Sequence, residues 1–171
     1  MSERKNVILM KGNPVTLVGN EVRVGDMAPE ATVLDEGLKP VKLSSFHGKV
    51  VVLVTVPSLD TPVCDTETRR FNKEAAGFGK DAAVVTVSMD LPFAQKRWCG
   101  AAGIDSVKVY SDYREASLGN AYGVLIKELR LLARTVFVID RTGKVTYVQY
   151  VKETASEPDY AAVIEAVKKT V

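Results

Sequence analysis

The sequence predicts an α/β fold: a mixed central sheet flanked by helices, with an N-terminal β-hairpin. Three observations carry that prediction. Between residues 50 and 122, short β-branched apolar runs alternate with stretches of helical periodicity, the pattern of β-α-β units. The run VVVLVTV at 50–56 is apolar along its length, which suits a strand buried on both faces. Two further β-prone runs flank Asp140-Arg-Thr-Gly143, a strong turn signal, so an antiparallel pair closes the sheet.

Taken in order, Met1 to Lys5 reads as a loose polar end. Val7 to Gly12 and Val15 to Val24 hold short β-prone runs, broken at Gly12-Asn-Pro14 and at Gly19-Asn20. The second break, between Val18 and Val22, reads as a tight hairpin added to the main sheet. Ala31 to Leu34 and Val41 to Leu43 are brief strands, followed by a single turn capped by Ser44-Ser45. Pro57 ends the central run because it offers no N–H to a ladder. Thr61-Pro62 then opens a helix, with Thr61 as N-cap and Pro62 at the first helical position. Phe71, Ala75 and Phe78 recur on one face of that helix, and Gly77 and Gly79 end it. Ala82 to Met89 is a second buried strand. Asp90 caps a helix over about Pro92 to Ala102, stopped by Gly103. Val107 to Tyr110 is a strand and Glu115 to Tyr122 a helix closed by Gly123. Leu131 to Ile139 and Lys144 to Val151 form the closing hairpin. Pro158 to Thr170 is an amphipathic helix with Tyr160, Val163, Ile164 and Val167 on one face.

These elements make one domain over residues 1–171, long enough to bury roughly 70% of the unfolded chain's surface. A hydrophobic content of 46% with 26% charged residues indicates a packed globule rather than a disordered chain. The net charge of +2 is too small to draw the chain to nucleic acid or an anionic membrane. No basic cluster is interleaved with aromatics. Val7 to Met10 is too short for a signal peptide and Val50 to Val56 far too short to cross a bilayer, so a cytoplasmic protein is expected. In that compartment thiols stay reduced. A bond between the two cysteines, Cys64 and Cys99, would therefore be transient and chemical rather than a permanent staple.

Cys64 falls in the first turn of the helix opened by Thr61-Pro62, among N–H groups with no intrahelical partner. The positive end of the macrodipole favours a thiolate there. The competing reading is a small buried hydrophobe, the common state of a free cysteine. Asp65 opposes a thiolate unless its carboxylate points away. Arg134 lies inside the apolar stretch Leu131 to Ile139, where a cation is costly to bury without a partner. An edge-strand arginine reaching solvent fits the sequence as well as a buried functional one. Cys99 follows Cys64 by 35 positions, which is not C-x-x-C spacing and weighs against disulfide exchange as the main activity. A core cysteine beside Trp98 is the plain alternative. With one histidine, His47, and two separated cysteines, no metal site or cofactor motif stands out.

Pro57-x-x-x-Thr61-x-x-Cys64 resembles the P-x-x-x-T/S-x-x-C motif of peroxiredoxins, in a matching strand–loop–helix setting. Asp90-Leu-Pro-Phe-Ala-Gln-Lys-Arg-Trp-Cys99-Gly is similar to the second-cysteine segment of the thiol peroxidase subfamily, whose members are atypical two-cysteine peroxiredoxins. The likeness runs from Gly12 to Tyr160. It implies a thioredoxin-like fold and a thioredoxin-dependent peroxidase that reduces hydrogen peroxide and organic hydroperoxides without a metal or organic cofactor. It implies Cys64 as the peroxidatic nucleophile, Thr61 contacting the sulfur and the peroxide, Pro57 shielding the pocket and Arg134 stabilising the thiolate. It further implies that Cys99 resolves the Cys64 sulfenic acid as an intrachain Cys64–Cys99 disulfide, that a thioredoxin-type reductant reopens it, and that the protein is a homodimer. A disulfide needs the two Cα atoms within about 7 Å, so one or both helix segments are expected to loosen, helped by Gly100 and Gly103. Rival readings are a general disulfide oxidoreductase and an interaction module with structural cysteines. The C-terminal helix lacks the Tyr-Phe element of peroxide-sensitive relatives, so Cys64 is expected to resist oxidation to sulfinic acid. Rapid loss of activity at modest peroxide, followed by enzyme assay and mass spectrometry, would contradict this.

Overall fold

The computed structural model describes residues 1–171. In chain order the strands are β1 (Glu3–Met10), β2 (Asn13–Val18), β3 (Thr32–Leu34), β4 (Pro40–Lys42), β5 (Val50–Thr55), β6 (Ala82–Ser88), β7 (Val107–Ser111), β8 (Leu125–Ile126), β9 (Leu131–Leu132), β10 (Thr135–Ile139) and β11 (Val145–Tyr150). The helices are α1 (Pro62–Phe78), α2 (Pro92–Ala102), α3 (Ser117–Ala121) and α4 (Tyr160–Thr170), with a 3₁₀ turn at Leu43–Phe46. None is long and apolar enough to cross a membrane.

Seven strands form the main sheet in the order β11-β10-β5-β6-β7-β3-β4. All six residues of β5 are buried, because alternate side chains enter two different cores. Val50, Val52 and Val54 join Cys64, Phe71, Val163 and Val167 on the face covered by α1 and α4. Val51 and Leu53 join Phe137, Tyr122 and Leu132 on the other face. Strands β5, β6 and β7 are parallel, while β10 is antiparallel to β5 and to β11. The crossovers through α1 and α2 run in one direction along the sheet. Sequence left open whether these helices share a face; they do, and they touch, since Arg69 Nη1 donates to Ala102 O at 3.3 Å.

Several local expectations are corrected. The N-terminal hairpin turns at Lys11-Gly12, not at Gly19-Asn20. Lys11 and Gly12 have φ of +51° and +78°, as a two-residue type I′ turn demands. Gly19 instead marks where the chain leaves β2 against α3: a Cβ there would lie 2.2 Å from Asn120 O. The hairpin is not added to the main sheet but starts a separate four-stranded sheet, β1-β2-β8-β9, and Glu3 to Lys5 belong to β1. The stretch 131–139 breaks at Ala133-Arg134 into β9 and β10. The helix expected over 115–122 shortens to α3, whose Leu118 and Gly119 N–H groups are taken by the Asp112 carboxylate.

Two expected caps also fail. Thr61 stands at the N-cap of α1 with extended geometry, but its hydroxyl donates to Ser58 O at 2.9 Å instead of accepting from the helix. Leu91, not Asp90, is the N-cap of α2. The Asp90 carboxylate accepts from Ser58 Oγ at 2.6 Å, Leu59 N at 2.9 Å and Ser88 Oγ at 2.7 Å, tying the loop after β5 to the end of β6. A long-range partner has displaced the capping bond at Asp90, and a local turn bond to Ser58 O has displaced it at Thr61. The turn at Asp140–Gly143 and helix α2 lie as expected.

Candidate active site

Cys64 is the third residue of α1 and is fully buried. Pro62 at the first helical position has no N–H to orphan, which lets the helix start abruptly and turn the Cys64 side chain into the core beside β5. Facing it is Arg134, 2% exposed, whose position follows from the break between β9 and β10. There Ala133 N donates to Val124 O, Val151 N donates to Arg134 O, and the Thr55 hydroxyl donates to Ala133 O. The backbone is thus pinned on three sides and the arginine side chain is sent inward.

The guanidinium distributes its donors over three partners. Nη2 lies 3.2 Å from Cys64 Sγ, Nε donates to Thr154 O at 2.9 Å, and Nη1 pairs with Glu67 Oε2. Burial opposes the charge on Arg134, but Glu67 and then Cys64 outweigh it, and the group stays cationic. Glu67 is wholly buried one turn along α1 from Cys64, and its second oxygen, Oε1, has no partner. Burial pushes its carboxyl up to about 7 against the pull of Arg134. The Asp65 carboxylate turns away from the sulfur: Oδ1 accepts from Trp98 Nε1 at 3.0 Å and Oδ2 from Arg69 Nε at 2.9 Å.

Arg134 is the residue that touches both the sulfur and an open cleft of about 320 Å³. Pro57, Thr61, Pro62 and Val63 line one side of that cleft, and Met10, Lys11, Thr154 and Ala155 the other. The tip of the β1–β2 hairpin is therefore part of the site. It is held there by Glu153, whose carboxylate accepts from the N–H groups of Lys11 at 3.1 Å and Gly12 at 3.0 Å. Thr154 N also donates to Leu9 O.

Four of the five residues singled out from sequence, Pro57, Thr61, Cys64 and Arg134, are brought together here. Cys99 is not. It is half-buried on α2 and lines a different cleft, with Asp35, Glu36, Gln95 and Tyr110. Both cysteines are free thiols. Burial, with the Glu36 charge adding to it, pushes the Cys99 thiol up. Sequence reasoning passed over Glu67, Glu153 and the hairpin tip. Glu67 had a signal, since it sits three residues from Cys64 and so shares its helix face. The backbone oxygen of Thr154 had none.

The redoxin family model matches residues 23–164. The thiol peroxidase of Bacillus subtilis (strain 168) is 57% identical over 164 residues, spanning 96% of this chain and 98% of that protein. The thiol peroxidase of Halalkalibacterium halodurans is 58% identical over 94% of this chain and 96% of its own length. The crystal structure of a peroxiredoxin-like protein from Aquifex aeolicus superposes with a TM-score of 0.90 at 50% identity, covering 96% of each chain. Thiol peroxidase from Chromobacterium violaceum shares the fold, with a TM-score of 0.84 at 19% identity over 95% of each chain.

The Glu67 carboxyl sets a pH dependence. Its pKa in the folded state, about 7, lies above the usual 4.5, so its share of stability is complete below pH 4.5 and is lost as pH rises through 7. Between pH 5 and pH 8 the unfolding free energy should fall by on the order of 1–3 kcal/mol more in the natural protein than in Glu67→Gln. Urea unfolding at the two pH values measures this, and parallel changes in both proteins would contradict it.

Proposed function

The chain belongs to the redoxin family and is a thiol-dependent peroxidase of the peroxiredoxin type, and we propose that Cys64 is its peroxidatic nucleophile, activated by Arg134. The observation that carries this reading is the 3.2 Å contact between Arg134 Nη2 and Cys64 Sγ, both buried, with Arg134 reaching from the sulfur to the cleft wall. A guanidinium at that distance in a water-poor site supplies positive charge where the sulfur, and then the leaving oxygen of the peroxide, carry negative charge.

In the proposed reaction, hydrogen peroxide or an organic hydroperoxide enters between Thr61 and Arg134. The Cys64 thiolate attacks the terminal peroxide oxygen, the O–O bond breaks, and water or an alcohol leaves after taking up a proton. Cys64 is left as a sulfenic acid. Thr61 donates to Ser58 O in the resting site, and its oxygen retains lone pairs to accept from a hydroperoxide. Pro57 is buried in the cleft wall and limits water there. Glu67 and Thr154 hold Arg134 in place. Cys99 then closes a Cys64–Cys99 disulfide with release of water, and a thioredoxin-type dithiol reduces it. Because Cys64 is buried in the core while Cys99 lines a separate cleft, that closure requires α1, α2 or both to loosen. The reading extends, on the family resemblance, to a single-domain cytoplasmic homodimer.

A coupled assay with a thioredoxin-type reductant tests the assignments. Cys64→Ser should reduce turnover to background. Arg134→Gln should lower kcat/KM by about 10²–10³-fold, the scale for losing one preorganised donor, with Arg134→Lys falling between. Cys99→Ser should consume one equivalent of peroxide and then stop. Full activity in Cys64→Ser, or in Arg134→Gln, would overturn the reading.

A further inference from the structure

We propose that Asp65 and Trp98 are positioning residues for disulfide closure: they hold α2 against α1, and their separation sets how fast Cys99 reaches oxidised Cys64. This rests on the reading above, in which Cys99 resolves the Cys64 sulfenic acid.

Asp65 immediately follows Cys64 and Trp98 immediately precedes Cys99. The indole Nε1 donates to Asp65 Oδ1 at 3.0 Å across the gap between the helices. Arg69 completes the contact: its Nε donates to Asp65 Oδ2 at 2.9 Å, its guanidinium stands 5.7 Å from the Trp98 ring centroid, and its Nη1 donates to Ala102 O at 3.3 Å. One carboxylate, one indole and one guanidinium thus bind the segment beside the nucleophile to the last turns of α2. The indole is half-buried against the same core as Cys64. Cys99, one position and about 100° further round the helix, faces instead the cleft toward Asp35 and Tyr110.

This geometry separates the sulfurs while the contact holds. In closure the Cys99 thiol loses its proton, its sulfur forms the S–S bond, and the S–O bond of the sulfenic acid breaks with the oxygen leaving as water. Cys99 must swing toward α1 to do this, and Trp98 occupies that side of α2. The indole therefore has to leave Asp65 first. Gly103 closes α2 at φ +67°, and Ile104 N and Gly103 N both donate to Cys99 O, so displacing Cys99 breaks the bonds that close the helix end. The Asp65–Trp98 bond restrains the residue next to Cys99 directly, alongside Arg69 on Ala102, so its release bears on how long the sulfenic acid survives and how exposed it is to a second peroxide.

Trp98→Phe keeps an aromatic ring and removes the N–H. With quenched-flow mixing, trapping of sulfenic acid by dimedone and mass spectrometry, it should close the Cys64–Cys99 disulfide about five- to tenfold faster than the natural protein, a tenfold change being about 1.4 kcal/mol. Asp65→Asn retains an oxygen for the indole but loses the ion pair to Arg69, and should give a smaller acceleration. Amide hydrogen exchange over residues 98–103 should rise in both. Sulfenic acid formation, compared in Cys99→Ser with and without Trp98→Phe, should be unchanged. Equal or slower closure in Trp98→Phe would overturn the positioning role while leaving Cys99 as the resolving thiol. Absence of any Cys64–Cys99 disulfide in the natural protein would instead remove the reading on which it rests.

Discussion

A single buried cation organises this molecule. Arg134 is 2% exposed, and taking a guanidinium out of water costs several kcal/mol unless charge and hydrogen bonds replace its hydration. The replacements come from three parts of the chain: the Glu67 carboxylate on α1, the Thr154 carbonyl after β11, and the Cys64 sulfur at the start of α1. Each of these is itself fixed by a larger feature. The Thr154 segment is bound to the N-terminal hairpin through Leu9 and Glu153. Glu67 and Cys64 share a helix whose direction is set by β5 below it. The break between β9 and β10 exists where the arginine must turn inward.

Glu67 and Cys64 compete for the same positive charge, and that competition suits a nucleophile. A lone guanidinium beside the sulfur would be an unpaired buried charge; a full ion pair with Glu67 would leave little field for chemistry. Burial raises the Glu67 carboxyl against the pull of Arg134, and one of its oxygens is unpartnered, so the guanidinium is shared between carboxylate and sulfur. The cost of keeping such a group buried is met by the hydrophobic cores on both faces of the sheet.

Much of this was legible in the sequence, for reasons that are local. The Thr61-Pro62 helix start, the apolar run at 50–56 and the Asp140–Gly143 turn depend on neighbours a few residues away, and their residue types state their conformations. The placement of Cys64 follows from them. What escaped was decided by distant partners. Gly19-Asn20 and the residues around Gly12 both read as turns. The choice between them rests on a contact of Gly19 with Asn120 and on Lys11 accepting a left-handed φ. Asp90 looks like a cap, yet its carboxylate is taken by the Ser58 loop 32 positions earlier; Thr61 is the local exception, donating to Ser58 O. Glu67 sits on the Cys64 face of its helix, but its partner is 67 positions further along the chain. The separation of Cys99 from Cys64 depends on the Asp65–Trp98 bond between two helices, which no spacing rule records.

The most direct test of the central claim uses the chain's single tryptophan, Trp98, bonded to the residue next to Cys64 and adjacent to Cys99. Reduced protein mixed with hydrogen peroxide in a stopped-flow fluorimeter should show a fast, peroxide-dependent change in tryptophan emission, followed by a slower peroxide-independent one. Cys64→Ser should abolish both phases, and Cys99→Ser should retain the first and lose the second. A reaction no faster than that of a free thiol in solution, or one that persists in Cys64→Ser, would contradict the claim.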